Sequence, residues 1–439
     1  MTRHSIPAVL LFGLVSCAPA NDPVIQSPPA ASSPAAQASS ATAVASTTPA
    51  STSTAVTPPP AVPPPSDDVA RSNQFGTALL QKVAKADENV FISPPNLRAA
   101  LAMITVGARG ATAKELDAAV EFDADPDKIA AAAKAERESL KSDVSKDLEL
   151  ASASRLYADK SAKLEKSFVD LMKTGFDSPI ESVDFATAPD TARTGINGWV
   201  KKSTHDKIPE LLPPGSIDGN TRVVAVTAMY MKGLFAQPFA KTKTADEPWI
   251  TGALGGLPKA VPMMSQTASF KFARAGDLRL ALLPYGKGDV GLVIVLPDAK
   301  TTAAVTELEA KLDYTKIAEW QKALAHDPVK VTLSLPRFEF KYGGSMKAAL
   351  GALGVHTAFA NADFTGIGPD KTLYLSDVFH QTYVKVDETG TEAAAASGAV
   401  VSNRSIERSE ELHADHPFLF FIEETKTGRV LFLGHVVQP

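Results

Sequence analysis

The chain has 439 residues and a net charge of −5, with Lys and Arg nearly balancing Asp and Glu, so nothing calls for nucleic acid or an anionic membrane surface as a partner. One cysteine, Cys17, allows no intramolecular disulfide, and the fold must hold by packing. The length is enough for one large domain with a substantial core.

Residues 1 to about 20 read as an export signal: Arg3, an apolar run from Ile6 to Val15 too short to span a membrane, then small residues. The end of this run, Leu14-Val15-Ser16-Cys17, resembles the bacterial lipobox, in which cleavage precedes the cysteine and the thiol carries a diacylglycerol. Ordinary cleavage after Ala18-Pro19-Ala20 is the competing possibility and would discard Cys17. The lipobox is preferred because an exported protein has little other use for its one cysteine. Residues 1–16 are then a lipoprotein signal peptide and Cys17 the lipidation site. The protein is expected to be exported and lipid-anchored at the cell envelope; Ala18 in place of Asp points to the outer membrane, at its periplasmic or cell-surface face.

Residues 17–68 are Ala, Pro, Ser and Thr with almost no large apolar side chain. Such a composition cannot bury enough surface to order itself, and a disordered tether is expected. At roughly 50 residues it reaches on the order of 40 Å as a flexible coil. The folded domain is expected over 69–439.

Phe75, Leu79, Leu80 and Val83 mark an amphipathic helix, followed by a short strand at Asn89-Val90-Phe91-Ile92-Ser93-Pro94 and a helix starting at Pro95. Further helices are expected near 112–120, 126–142 and 162–174, with a strand from about Leu148 to Ala158. The apolar run Val223 to Gly233 suits a buried central strand. Leu333 to Phe340 alternates as LSLPRFEF, and Val293 to Pro297 is another apolar run.

The stretch DETGTEAAAASGAVVSNRS, Asp387 to Ser405, is small and largely uncharged. As a strand, its alternate side chains separate onto two faces. One carries Thr391, Ala393, Ala395, Ser397, Ala399 and Val401; the other carries Glu392, Ala394, Ala396, Gly398 and Val400. On its own the stretch also reads as helix or linker, since Ala is the best helix former and Gly390 and Gly398 could be punctuation.

Its flanks decide the matter. LYLSDVFHQTYVKVDETGTEAAAA before it and ADHPFLFFIEETKTGRVLFLGHVVQP after it resemble the serpins, the serine protease inhibitor family, as does NVFISPPNLRAALAMITVGARGATAKEL near the start of the domain. The resemblance extends in order over nearly all of 69–439. It implies an α+β fold of three β-sheets surrounded by about eight to nine helices, with Asp184 to Ile208 supplying a helix across the main sheet. It also implies an exposed reactive loop at about 388–411.

By that resemblance, Asp387 and Glu388 end the strand before the loop. Gly390, Thr391, Glu392, Ala393, Ala394, Ala395 and Ala396 form its hinge. A protease docks on the loop as on a substrate and cleaves it, and the segment from Thr391 inserts into the main sheet, trapping the protease as a distorted acyl-enzyme. Small hinge residues without proline imply an inhibitor. The family's spacing from Gly390 puts the scissile bond at Arg404-Ser405, with Arg408 as the competing site, and an Arg there selects trypsin-like serine proteases. Ser93, Asn96, Thr227 and His380 match the polar cluster that keeps the sheet shut, with Thr227 where Asn is usual and Asn96 where Ser is usual. Phe235 stands in the place of a usual Trp. A basic heparin-binding face is argued against by the mixture of Lys128, Lys134, Arg137 and Lys141 with Asp127, Glu136 and Glu138.

No enzyme is expected. The G-x-S-x-G elbow is absent, and although Lys426-Thr427-Gly428 matches one β-lactamase element, no serine is followed by lysine three residues on. His413 and His416 flank Asp415, yet no third convergent ligand accompanies them, so neither metal nor cofactor is expected. The partners implied are a trypsin-like protease and, through Cys17, a membrane, with the protein a monomer. The competing possibility is a non-inhibitory serpin-fold binding lipoprotein.

Overall fold

The computed structural model describes residues 67–122, 125–142, 146–251, 258–391 and 409–439. These lie in one compact unit, Ala61–Pro439. Cys17, Glu392, Ala393, Ala394, Ala395, Ala396, Arg404 and Ser405 fall outside the described residues.

Nine α-helices are present among the described residues. The first, α1 (Asp68–Val83), is capped by the Asp67 carboxylate, which accepts from the N–H of Ala70 at 2.8 Å. It buries Phe75, Leu79 and Leu80. After the short strand β1 (Val90–Ile92), α2 (Pro94–Thr105) starts one residue earlier than expected, with Pro94 at its first position, where a missing N–H costs nothing. Helices α3 (Gly110–Val120) and α4 (Pro126–Ser142) follow as the periodicity predicts. The expected 162–174 helix is shorter: α5 is Lys166–Thr174. The N–H of Glu165 is bonded to the carbonyl of Ile367 at 2.8 Å, and that distant contact holds the approach segment out of the helix.

The main sheet has six strands in the order β10 (Phe338–Ser345), β11 (Leu375–Asp387), β12 (Gly390–Thr391), β4 (Val223–Leu234), β2 (Leu148–Asp159) and β3 (Glu181–Val183). The remaining strands build two sheets that share the long β6 (Lys259–Ala275). The first half of β6 pairs with β5 (Ala245–Trp249) and β9 (Val329–Pro336), and β9 pairs with β13 (Glu410–His413). Its last residues lead through β7 (Leu278–Tyr285) and β8 (Val290–Pro297) to β14 (Phe418–Glu424) and β15 (Val430–Val436). Helices α7 (Thr302–Ala310), α8 (Tyr314–Ala323) and α9 (Lys347–Ala352) complete the α+β fold.

Two-residue periodicity assigns the faces of the main sheet. Val224, Val226, Ala228 and Tyr230 of β4 share a buried cluster with Ile196 and Val200 of α6 (Pro189–Ser203), which lies over β2. Arg155 sits over the Trp199 ring at 4.4 Å, and the same ring meets Tyr157 edge-on at 6.1 Å. The opposite face of β4, Val223 and Ala225, packs with Leu97 and Leu101 of α2. Thr227 falls on that second face.

Candidate functional site

The upper end of the main sheet is where β11 finishes. From Leu375 opposite Val223 to Tyr383 opposite Tyr230, β11 and β4 pair directly in parallel. Above that point the chain turns at Glu388-Thr389 and returns as β12, antiparallel to both neighbours. Gly390 faces Asp387 and Leu234, and Thr391 faces Val386 and Gly233. The sheet is shut along its lower length and holds a two-residue wedge at the top.

Each wedge residue has a physical reason to be there. Gly390 has φ 146°, and a Cβ on it would lie 2.0 Å from the carbonyl oxygen of Gly233, so only glycine permits the approach. Thr391 is 1% exposed, and its hydroxyl is 2.6 Å from the phenol oxygen of Tyr285. Burial pushes the Tyr285 phenol well above its ordinary range, so the pair remains neutral. The Tyr285 ring stacks on Phe235 with centroids 5.0 Å apart, and the N–H of Phe235 donates to the carbonyl of Thr389 at 2.8 Å. The expectation that the hinge is exposed from Gly390 onward is therefore corrected for Gly390 and Thr391, which lie buried within the sheet. Their backbone is satisfied by two strands and the threonine hydroxyl by Tyr285.

Glu388 anchors the turn. It is 2% exposed, accepts from Arg337 Nε at 2.9 Å and from Arg337 Nη2, and accepts from the Thr244 hydroxyl at 2.5 Å. Burial pushes its carboxyl up, but the hydrogen bonds from Arg337 and Thr244 outweigh that effect and hold it below the ordinary glutamate range. Its backbone carbonyl accepts from the N–H of Phe239 at 2.7 Å.

Lower down, Ser93, Asn96, Thr227 and His380 come together around the first turn of α2. His380 and Thr227 are opposite each other in the β11–β4 pairing. They do not bond each other; α2 links them. The Ser93 N–H donates to His380 Nε2 at 3.1 Å, and the Ser93 hydroxyl donates to the carbonyl of Leu431 at 2.8 Å. The Thr227 hydroxyl donates to the Asn96 side-chain oxygen, while Asn96 Nδ2 reaches Ser152 at 2.8 Å and Ser154 at 3.2 Å. Asn96 thus ties β4 to β2, a role for Ser152 and Ser154 that the sequence reading did not single out.

Since Nε2 of His380 accepts, its proton sits on Nδ1, which is buried without a partner. Burial lowers the ring pKa to about 3. An imidazole kept neutral in the folded state contributes stability that is present above the ordinary histidine pKa of about 6.5 and is lost as pH falls toward that folded value. Glu423, pushed up to about 7 by burial, acts with the opposite sign over an overlapping range, so the ring itself is the cleaner readout. The His380 ring carbon resonances are expected not to titrate between about pH 8 and about pH 5. A midpoint near 6.5 would contradict the buried neutral ring.

Of the histidines weighed as metal ligands, His413 Nε2 lies 2.8 Å from Glu247, and His416 sits between Asp415 at 2.6 Å and the carbonyl of Pro297 at 2.7 Å. These are structural ties between strand ends.

A main sheet paired below, with the two-residue β12 held between β11 and β4 at its top, defines the class of α+β domain. Comparison with known proteins gives the family. The family model described as serpin (serine protease inhibitor) matches residues 70–439. The chain is 36% identical over 359 residues to the leukocyte elastase inhibitor of Bos taurus, covering 80% of this chain and 93% of that protein. It is 32% identical over 398 residues to Serpin B10 of Bos taurus, covering 85% of this chain and all of that protein. Among solved structures, uncleaved ovalbumin superposes with a TM-score of 0.74 at 29% identity, over 84% of this chain and 99% of that one. Human thyroxine-binding globulin gives 0.76 at 27%, over 84% and 98%. The protein belongs to the serpin family.

Proposed function

We propose that the protein is an irreversible, suicide-type inhibitor of trypsin-like serine proteases, with Arg404-Ser405 as the reactive bond and loop insertion as the driving step. The observation that carries this reading is β12: Gly390 and Thr391 occupy the top of the gap between β11 and β4. Thr391 turns its side chain inward; on insertion, continued alternation would turn Ala393, Ala395 and Ser397 inward as well, and each is small enough to enter a close-packed sheet. Roughly fifteen inserted residues at about 3.3 Å each carry a tethered protease roughly 50 Å. The leukocyte elastase inhibitors among the relatives support protease inhibition; Arg404, set by its spacing from Gly390, supports the trypsin-like preference.

Incubation with trypsin is expected to release a peptide whose first residue is Ser405. A peptide starting at Ser409 would move the reactive bond to Arg408. The second reading, a non-inhibitory serpin-fold binding protein, draws on the likeness to thyroxine-binding globulin. It predicts that cleavage leaves the melting temperature nearly unchanged, whereas insertion raises it greatly.

We also propose that the protein is a bacterial lipoprotein, anchored to the membrane through Cys17 and carried on the tether of residues 17–68. Replacing Cys17 by Ala is expected to move the protein into the soluble fraction, and a variant that still sediments with membranes would contradict the anchor.

A further inference from the structure

Between α6 and the neighbouring strands β2 and β3, on the face of the main sheet that α6 covers, lies a cavity of about 360 Å³. Val183, Ala192, Ile196 and Trp199 give it an apolar side. Arg155 and Tyr157, two residues apart on β2 and so on one face of the strand, supply its polar side. Each carries a buried polar group with no partner among the described residues, Arg155 Nε and the Tyr157 hydroxyl. Tyr157 is 2% exposed, and burial pushes its phenol up despite the nearby Arg155, so the hydroxyl keeps its proton and remains a donor. A buried donor left unpaired is costly, and two side by side point to a missing acceptor.

The acceptor that fits carries no charge. Arg155 Nη1 is already bound to Glu181 at 2.6 Å, and Asp184 is held by Lys160 and the Thr187 hydroxyl. An anion would bring a third negative charge beside these two carboxylates, both of which line the cavity. Gly195 of α6 opens onto the same space, and a Cβ added there would meet nothing within 4 Å.

We propose that this cavity binds a small uncharged molecule with an apolar body and one carbonyl oxygen, of the amide or ketone class. Its body would lie along Ile196 and Trp199, and the two lone pairs of its oxygen would accept from the Tyr157 hydroxyl and from Arg155 Nε. A void of ~150 Å³ accommodates benzene, so the space here is ample for one ring with its substituent.

Benzamide is the probe, and benzoate is its charged counterpart. Ligand-observed NMR titration of the full chain is expected to show saturable benzamide binding with Kd of about 1 mM or below, and benzoate binding at least about tenfold weaker. Tyr157→Phe keeps the ring, removes the donor and is expected to weaken benzamide binding about fivefold. Gly195→Leu fills the open space from a helix position where leucine is the better helix former, and is expected to weaken it at least about tenfold. Absence of saturable binding would overturn the proposal, as would benzoate binding as tightly as benzamide. So would unchanged benzamide affinity in both variants once circular dichroism shows them folded.

Discussion

Thr391→Arg is expected to leave the protein folded and its loop cleavable while abolishing trapping. In the wild type the Thr391 side chain is buried against Tyr285, with neighbouring backbone on both sides. An arginine would have to bury its charge in a slot formed by the Tyr285 ring and the backbone of two strands, at a cost of ~3–5 kcal/mol. It escapes by leaving the sheet, so β12 dissolves and insertion stalls at its first inward position. Trapping competes with hydrolysis of the acyl-enzyme, and a barrier raised by that amount slows insertion by about 100-fold or more. The variant should therefore behave as a substrate. Protease consumed per inhibitor, measured by active-site titration, is the check; a stoichiometry near that of the wild type would contradict inward packing of Thr391.

Glu388→Lys is expected to destabilise the upper end of the sheet. The buried carboxylate accepts from Arg337 and Thr244, and the substitution sets a second cation against Arg337 with neither compensated. Glu388 is buried but Arg337 is half-exposed, so the loss is on the order of 2 kcal/mol, less than that of a fully buried pair. The melting temperature is expected to fall by about 2–4 °C. Amide exchange should rise at Phe235 and Phe239, whose N–H groups are held by the carbonyls of Thr389 and Glu388. Restoring the opposite charge with Arg337→Glu in the same chain should recover part of the loss, which a purely steric defect would not.

How far the sequence reached depends on how local the cause is. The central position of β4 follows from an unbroken apolar run. Thr227 and His380 are legible through the resemblance to the serpins, which matches them to the family's polar cluster. What was not legible depends on contacts far apart in the chain. Whether Gly390 and Thr391 lie in or out of the sheet is decided by Gly233 and Tyr285, about 157 and 106 residues away respectively. The Glu388–Arg337 pair and the Asn96–Ser152 bond likewise join distant segments. The shortened α5 has the same origin, a backbone bond from Glu165 to Ile367. Tyr285 could have been suspected, since a tyrosine ending an apolar strand needs a partner for its hydroxyl when buried. Nothing local names Thr391 as that partner.

The most direct measurement mixes the domain of residues 69–439 with trypsin and examines the mixture on a denaturing gel. Loop insertion with Arg404 at the reactive bond predicts a band at the summed mass of the two proteins that survives boiling, since only a covalent acyl bond persists there. Complete cleavage of the loop with no such band, and with active protease recovered, would contradict the trap.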